Sequence, residues 1–167
     1  LHAHNGEVEL AKELARRQID MFDLDRLDAI ISNAGGCGSH LKKYGHLLHD
    51  DARYAERAKQ WDAKLKDIHE WLSQIGIRPP RTGCGDDTVT YHESCHLCHG
   101  QKIVSQPREV LKTIPGLEVT ELPESNWCCG SAGVYDLAHP DLSDAQLGHK
   151  VDTIAAGAPE VVVASNP

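Results

Sequence analysis

Short apolar runs alternate with amphipathic segments along this chain of 167 residues, and the alternation limits its fold more than any other feature. The runs at 27–33, 88–92, 117–122 and 161–164 have the length and composition of buried strands. Helical patterns lie between them: one capped by Asn5, and others at 38–48, 51–75, around Pro107 and at 141–156. In the last helix, Leu147, Val151 and Ile154 are expected on the buried face. Strands that alternate with helices predict an α/β fold with mostly parallel sheets flanked by helices.

Two parts of the chain repeat the same order of elements. Ile-Ser-Asn-Ala at 31–34 and Ala-Ser-Asn-Pro at 164–167 each follow a helix and a strand. This echo predicts parts of two tandem repeats, the first over residues 1–80, including a long connecting helix, and the second over residues 88–167. The polar, glycine-bearing residues 81–87 are the predicted linker.

Charge and hydropathy exclude several classes of function. The net charge is −8 with acidic and basic residues mixed, so no basic stripe indicates nucleic acid. No run of eighteen apolar residues predicts a membrane span. The chain begins at Leu1 with a polar segment, unlike a signal peptide, and we expect a piece of a longer protein. Clustered cysteines in a chain without a secretion signal indicate metal or redox chemistry in the cytoplasm.

The strongest chemical signal is the sequence Cys128-Cys129-Gly130. Adjacent cysteines make a strained disulfide and are uncommon as two ligands of one zinc ion, whereas a cluster with several irons can use both thiolates. Gly130 opens a glycine-rich stretch before a predicted helix, where free N–H groups would stabilise thiolate charge. The alternative is a pair of buried free cysteines at the start of a helix.

A second cysteine segment, residues 92–100 (His-Glu-Ser-Cys-His-Leu-Cys-His-Gly), follows a predicted strand. Ligands bind at the carboxyl ends of parallel strands. Cys95 is therefore a candidate ligand of an iron–sulfur or zinc site shared with Cys128 and Cys129. The spacing of Cys95, Cys98 and His99 also fits c-type haem attachment, and a thioredoxin-like pair is a third reading. The α/β pattern and the strand order argue against both of these.

The remaining candidates are weaker. Cys37 follows a strand in the sequence Asn-Ala-Gly-Gly-Cys-Gly, where Gly36 would let the backbone approach a cofactor, although a buried thiol in a turn is an equal alternative. Cys84 in the linker is expected to take no part. His96 and His99 are candidate donors to a cluster but fit ordinary surface residues better, and Trp127 fits the core.

Together these motifs resemble the cysteine-rich CCG domain of iron–sulfur electron-transfer proteins. The resemblance rests on residues 33–45, 91–97 and 122–133, and on the 32 residues between Cys95 and Cys128. The family includes glycolate oxidase iron–sulfur subunits, heterodisulfide reductase subunits and lactate-utilisation proteins. It implies a [4Fe–4S] cluster held by Cys95, Cys128 and Cys129 in one repeat and a second cluster that uses Cys37 in the other. Gly36 and Gly130 would line the cofactors.

The resemblance also implies a division of labour. A flavoprotein partner carrying FAD would oxidise glycolate or another 2-hydroxy acid, and this subunit, with no catalytic residue of its own, would pass electrons toward the membrane quinone pool. The resemblance implies a cytoplasmic location, with a peripheral position at the inner face of the membrane, reached through the complex, as the alternative. The family's last cysteine motif would follow residue 167, so the isolated chain is expected to be inactive. Purified in air, it is expected to contain no cluster, with its thiols free, oxidised or holding zinc. Alternatives are a heterodisulfide-reductase-like enzyme and a zinc-binding interaction module.

Overall fold

The computed structural model describes residues 1–83, 87–131 and 133–165. The helices are α1 (Val8–Asp20), α2 (Gly35–Leu41), α3 (Tyr44–Leu47), α4 (Ala55–Lys64), α5 (Ile68–Ile75), α6 (Ser105–Lys112), α7 (Tyr135–Ala138) and α8 (Pro140–Gly157). The strands are β1 (Ile30–Ser32), β2 (Leu65–Asp67), β3 (Thr88–His92), β4 (Glu118–Thr120) and β5 (Val161–Ala164). A π-helical turn, His96–Gly100, follows β3.

The strands form two parallel sheets. β1 pairs with β2 in the first half of the chain, and β3 lies between β4 and β5 in the second. Parallel neighbours need crossover connections, which the helices supply. The expected α/β fold with parallel sheets flanked by helices is therefore confirmed. The boundaries of two repeats at 1–80 and 88–167, with a linker at 81–87, stay a prediction.

The core of the first half lies between α1, α3 and α4. Trp61 of α4 stacks on Tyr44 at 5.5 Å between ring centroids and donates its indole N–H to the Leu41 carbonyl oxygen at 3.1 Å. Ile19 and Leu48 are fully buried beside them. Burial of these large side chains stabilises the packing of the helices around the short sheet.

Helices join the halves: α2 packs against the π-helical turn, and α5 packs against α6. Gln101 donates its side-chain amide to the Gly35 carbonyl oxygen at 2.9 Å. A Cβ on Gly35 would lie 2.9 Å from Ser94 Oγ, so glycine permits this close approach. The contact brings α2, which carries Cys37, against the segment that follows Cys95.

The predicted helix at 51–75 is wrong. α4 ends at Lys64, Leu65–Asp67 pairs with β1 as β2, and α5 begins only at Ile68. Leu65 and Asp67 are both more buried than the residue between them, which is the alternation expected of a strand. Asp67 is also the N-cap of α5 and forms a capping box with Glu70. Pairing in the sheet overrides the helical periodicity here.

Smaller differences concern the ends and faces of helices. The helix predicted at 38–48 is two helices, of which the first begins at Gly35, and the N-cap of α1 is Glu7 rather than Asn5. On α8, Leu147 and Val151 are 47% and 51% exposed, so the expected buried face is wrong there. Ser143 and Lys150 are buried instead. Within the described residues, no helix is long and apolar enough to cross a membrane.

Candidate metal centre

Cys95 lies at the carboxyl end of the central strand of the second sheet. β3 ends at His92, the buried Glu93 and Ser94 follow, and Cys95 is the N-cap of the π-helical turn. The Ser94 carbonyl oxygen accepts N–H groups from Leu97 at 3.0 Å and Cys98 at 2.9 Å, which fixes the turn. π-helical turns occur frequently at functional sites. The strand end predicted from the sequence therefore carries the half-buried Cys95 thiol at the edge where ligands bind.

Cys128 and Cys129 reach the same edge from the segment after β4. Glu93 N–H donates to the Ser125 carbonyl oxygen at 3.2 Å, which ties that segment to the residue just after β3. Cys95 forms a side-chain hydrogen bond with Cys128 and interacts electrostatically with Cys129. The pKa of Cys95 is raised to about 11, mainly because the thiol is partly buried and secondly because Cys128 and Cys129 lie near it. The three thiols that were predicted to share a site thus lie close enough to interact, and their role as metal ligands stays a prediction.

Gly130 closes this segment in a conformation that requires glycine. Its φ is +87°, and a Cβ there would lie 2.5 Å from the Ser143 carbonyl oxygen. Its N–H donates to Cys128 Sγ at 3.4 Å. The helix predicted after the glycine-rich stretch is α7, which begins at Tyr135, five residues beyond Gly130. The N–H group that stabilises thiolate charge therefore comes from a turn.

Lys150 is a residue of the site that the sequence reading missed. It is 3% exposed on α8, and its ammonium donates to the carbonyl oxygens of Glu124 at 2.6 Å and Ser125 at 3.5 Å. Burial lowers the pKa of Lys150, while Glu124 and the thiols of Cys129, Cys95 and Cys128 act in the opposite direction. The amphipathic pattern of α8 did not indicate that Lys150 is buried, because it predicted a buried face formed by the apolar residues of the helix.

Cys98 belongs to a different environment from Cys95. It is 9% exposed, and burial, then a hydrogen bond to Glu93, raises its pKa to about 11. Glu93 in turn forms an ion pair with Arg108 at 2.6 Å. A buried thiol held by this pair does not present the two accessible thiols that covalent haem attachment requires. His96 and His99 are exposed, as expected of surface residues.

The other candidates from the sequence are not among the residues that contact Cys95, Cys128 or Cys129 in the contacts described above, or they lie outside the described residues. Cys37 is exposed on α2, and Gly36 lines a cavity of about 70 Å³ with His96 and residues of the first half. Trp127 is 44% exposed and packs on His149 at 4.9 Å between ring centroids, so its expected place in the core is wrong. Cys84 lies outside the described residues, and its expected lack of a role stays a prediction.

The donor set of Cys95, Cys128 and Cys129 fits a thiolate-bound iron–sulfur cluster. Soft thiolates are the ligands of such clusters, and hydrogen bonds to sulfur tune them. The Gly130 N–H and the Lys150 ammonium supply partners for negative sulfur. In the part of the chain that the structure describes, no three Cys, His, Asp or Glu side chains converge as they would around a single metal ion. A role of Cys95, Cys128 and Cys129 as ligands therefore stays a prediction.

Comparison with known proteins gives an independent result. The family model of the cysteine-rich domain CCG matches residues 1–42 and 89–167. The probable glycolate oxidase iron–sulfur subunit of Bacillus subtilis is 38% identical over the whole chain, which spans 38% of that protein. The glycolate oxidase iron–sulfur subunit of Escherichia coli is 37% identical over 83% of the chain and 34% of its own length. Lactate utilization protein A of Bacillus licheniformis is 26% identical over 98% of the chain and 68% of its own length.

Proposed function

Because this chain belongs to the cysteine-rich CCG domain family, we propose that it is part of an iron–sulfur electron-transfer subunit of a flavin-dependent 2-hydroxy-acid oxidase. The meeting of Cys95 with Cys128 and Cys129 at the carboxyl edge of the second sheet carries the proposal. The chain spans little more than a third of the two glycolate oxidase subunits it matches, so the activity belongs to a larger assembly.

The three thiols are the proposed ligands of one [4Fe–4S] cluster, and Cys37 is the proposed ligand of a second. When bound, such a cluster accepts and releases single electrons. Cys95 is held by the end of β3 and the π-helical turn, and Cys128 is held through the N–H of Gly130. Gly36 and Gly130 allow the backbone to approach the cofactors. This chain contributes ligands and their electrostatic surroundings, and no proton or hydride transfer of its own.

In the proposed assembly, a flavoprotein subunit with FAD oxidises glycolate, and the electrons leave toward quinone. The names of the Bacillus subtilis and Escherichia coli relatives support glycolate as the substrate of the complex. Lactate is the second candidate, because the chain covers a larger share, 68%, of a lactate utilization protein. Both substrates are 2-hydroxy acids, so the role of this chain is the same in either case.

Anaerobic reconstitution of the full-length protein with iron and sulfide tests the metal centre. We expect visible thiolate-to-iron absorption and a paramagnetic signal on reduction, and we expect both to fall when Cys95, Cys128 or Cys129 is replaced by Ala. Each repeat is proposed to hold one cluster, so each of these variants should lose the iron of one cluster. Zinc alone in protein purified without oxygen would contradict the proposal and favour a zinc-binding module.

Affinity purification of the full-length protein from its own cells tests the partner. We expect a flavoprotein to copurify, and the complex to reduce a dye with glycolate or lactate. Oxidation of either acid by the purified iron–sulfur subunit alone would contradict the division of labour. Reduction of a disulfide by the cluster-loaded protein would favour the heterodisulfide-reductase-like alternative.

A further inference from the structure

Lys150 places an ammonium group against the backbone segment that leads to Cys128 and Cys129. The Ser125 carbonyl oxygen of that segment also accepts the N–H of Glu93, two residues before Cys95. The Lys150 side chain is held by two carbonyl oxygens, those of Glu124 and Ser125. The Glu124 carboxylate forms a hydrogen bond with His149 Nε2 at 2.7 Å and is half exposed. Across residues 1–83, 87–131 and 133–165, Lys150 has no ion pair with an Asp or Glu. This lysine is 3% exposed, its hydrogen bonds go to carbonyl oxygens, and the Glu124 charge favours its ammonium without an ion-pair contact.

A buried ammonium in this situation is costly unless a negative group lies near it. After Glu124, the groups whose charge favours the ammonium are the thiols of Cys129, Cys95 and Cys128. Thiolates that bind iron carry this charge permanently, because metal binding removes their protons. Cluster thiolates would thus add to the negative charge that Glu124 already provides for the buried Lys150 ammonium.

We propose that Lys150 is a positioning residue of the iron–sulfur centre, whose fixed positive charge stabilises the reduced cluster and raises its reduction potential. This inference rests on the proposed function, since it takes Cys95, Cys128 and Cys129 as ligands of a cluster. Reduction would add one negative charge to a centre whose ligands interact electrostatically with the ammonium. In a site of low effective dielectric, this attraction favours the reduced state.

Lys150 also supports the backbone that carries Cys128 and Cys129, so the test must separate charge from support. Lys150→Gln removes the charge and keeps an N–H donor for the Glu124 carbonyl oxygen. Lys150→Met removes both. Lys59→Met is the matched control, because Lys59 is 64% exposed on α4 and forms only a surface pair with Glu56.

The full-length protein and its variants are reconstituted anaerobically, their iron content is measured, and each cluster is titrated with reductant under paramagnetic resonance. We expect Lys150→Gln to keep the iron and the line shape of the wild type. Its equilibrium constant for reduction should fall about tenfold, which for one electron is a potential lower by about 59 mV. Lys59→Met should leave the potential unchanged.

Two results would overturn the inference while leaving the proposed function intact. One is a Lys150→Gln protein with full iron and an unchanged potential. The other is loss of iron from Lys150→Gln and Lys150→Met alike, which would make Lys150 a structural support only. A wild-type protein that assembles no cluster would remove the proposed function and this inference together. Iron content of the wild type therefore distinguishes the two failures.

Discussion

The carbonyl oxygen of Gly130 accepts a hydrogen bond of 3.0 Å from Ser143 Oγ, and both residues are buried. This bond fastens the turn after the cysteine pair to the first half of α8. The same helix carries Lys150, which contacts the segment before the cysteine pair. α8 therefore holds Cys128 and Cys129 from both sides, and the geometry of the candidate metal centre depends on how closely the turn approaches the helix.

Gly130→Ala should destabilise the chain strongly. Its φ of +87° costs an L residue about 1–2 kcal/mol, and the new Cβ would lie 2.5 Å from the Ser143 carbonyl oxygen, which is backbone and cannot rotate away. We expect a loss of about 2–4 kcal/mol in the free energy of unfolding, measured by urea titration.

Gly133→Ala is the matched control, because Gly133 also has a positive φ, +66°, with nothing within 4 Å of its added Cβ. Its cost should be limited to the backbone term, about 1 kcal/mol. Equal losses in the two variants would show that the contact with Ser143 does not limit the turn.

The second half of the fold could be predicted closely because its strands are short and apolar and lie between clear turn signals. β3 and β5 have the predicted bounds, 88–92 and 161–164. Cys95 was placed at a strand end for the same reason. The burial of Lys150 on α8 could not be predicted, because its side chain contacts a carbonyl oxygen that is distant in the sequence.

The first half was harder because the periodicity of residues 51–75 fits a single helix. Ala58, Trp61, Leu65 and Ile68 have helical spacing, yet Leu65 packs as part of a strand. A three-residue strand leaves almost no pattern of its own, and its pairing with β1 is a long-range effect. The sequence Asp67-Ile-His-Glu70 was the available signal, since it has the spacing of a capping box and marks the start of α5.

Arg108→Met should be more damaging than its partly exposed position suggests. Arg108 pairs with Glu93, whose side chain is 7% exposed, and its guanidinium stacks on Tyr91 at 5.2 Å from the ring centroid. Removing the guanidinium leaves the Glu93 carboxylate buried without its cation. We expect a loss of about 3–5 kcal/mol in the free energy of unfolding, measured by chemical denaturation.

Glu121→Gln is the control for the exposed side of the same arginine. Glu121 is 61% exposed and also pairs with Arg108, at 2.8 Å, so its loss should cost about 0–1 kcal/mol. Adding Glu93→Gln to Arg108→Met should recover part of the stability, because the pair then carries no unpaired charge. If the double variant loses as much free energy of unfolding as the two single variants together, Glu93 and Arg108 are not coupled.

Cys98→Ala should leave the iron content of the reconstituted full-length protein unchanged, whereas Cys95→Ala should lose the cluster of the second half. The Cys98 thiol is buried and bonded to Glu93, while Cys95 bonds to Cys128. Iron and sulfide analysis with visible absorption measures the difference. Loss of iron from Cys98→Ala at unchanged thermal stability would make Cys98 a ligand and require the π-helical turn to rearrange on loading.

Asp62→Asn should change how stability depends on pH. Asp62 accepts a hydrogen bond from Gly45 N–H at 2.9 Å, its other oxygen is buried without a partner, and burial raises the pKa of its carboxyl group above 3.8. A raised pKa means that the fold favours the neutral acid. Stability from this group is therefore present below pH 3.8 and is lost as the pH rises through the pKa of the folded state.

Asparagine is neutral at every pH, so Asp62→Asn should gain stability relative to the wild type as the pH rises above about 4, and the difference should level off near neutrality.

Asp50→Asn is the control with the opposite sign, because Lys12 lowers the pKa of Asp50. The Asp50→Asn protein should be as stable as the wild type in strong acid. It should become less stable than the wild type over the pH range in which the Asp50 carboxyl group of the wild type ionises. Urea titrations between pH 3 and 8, followed by the fluorescence of the buried Trp61, measure both differences. If the Asp62→Asn difference does not change with pH, the carboxyl group is solvated in the folded protein, and the buried oxygen beside Gly45 has a water partner.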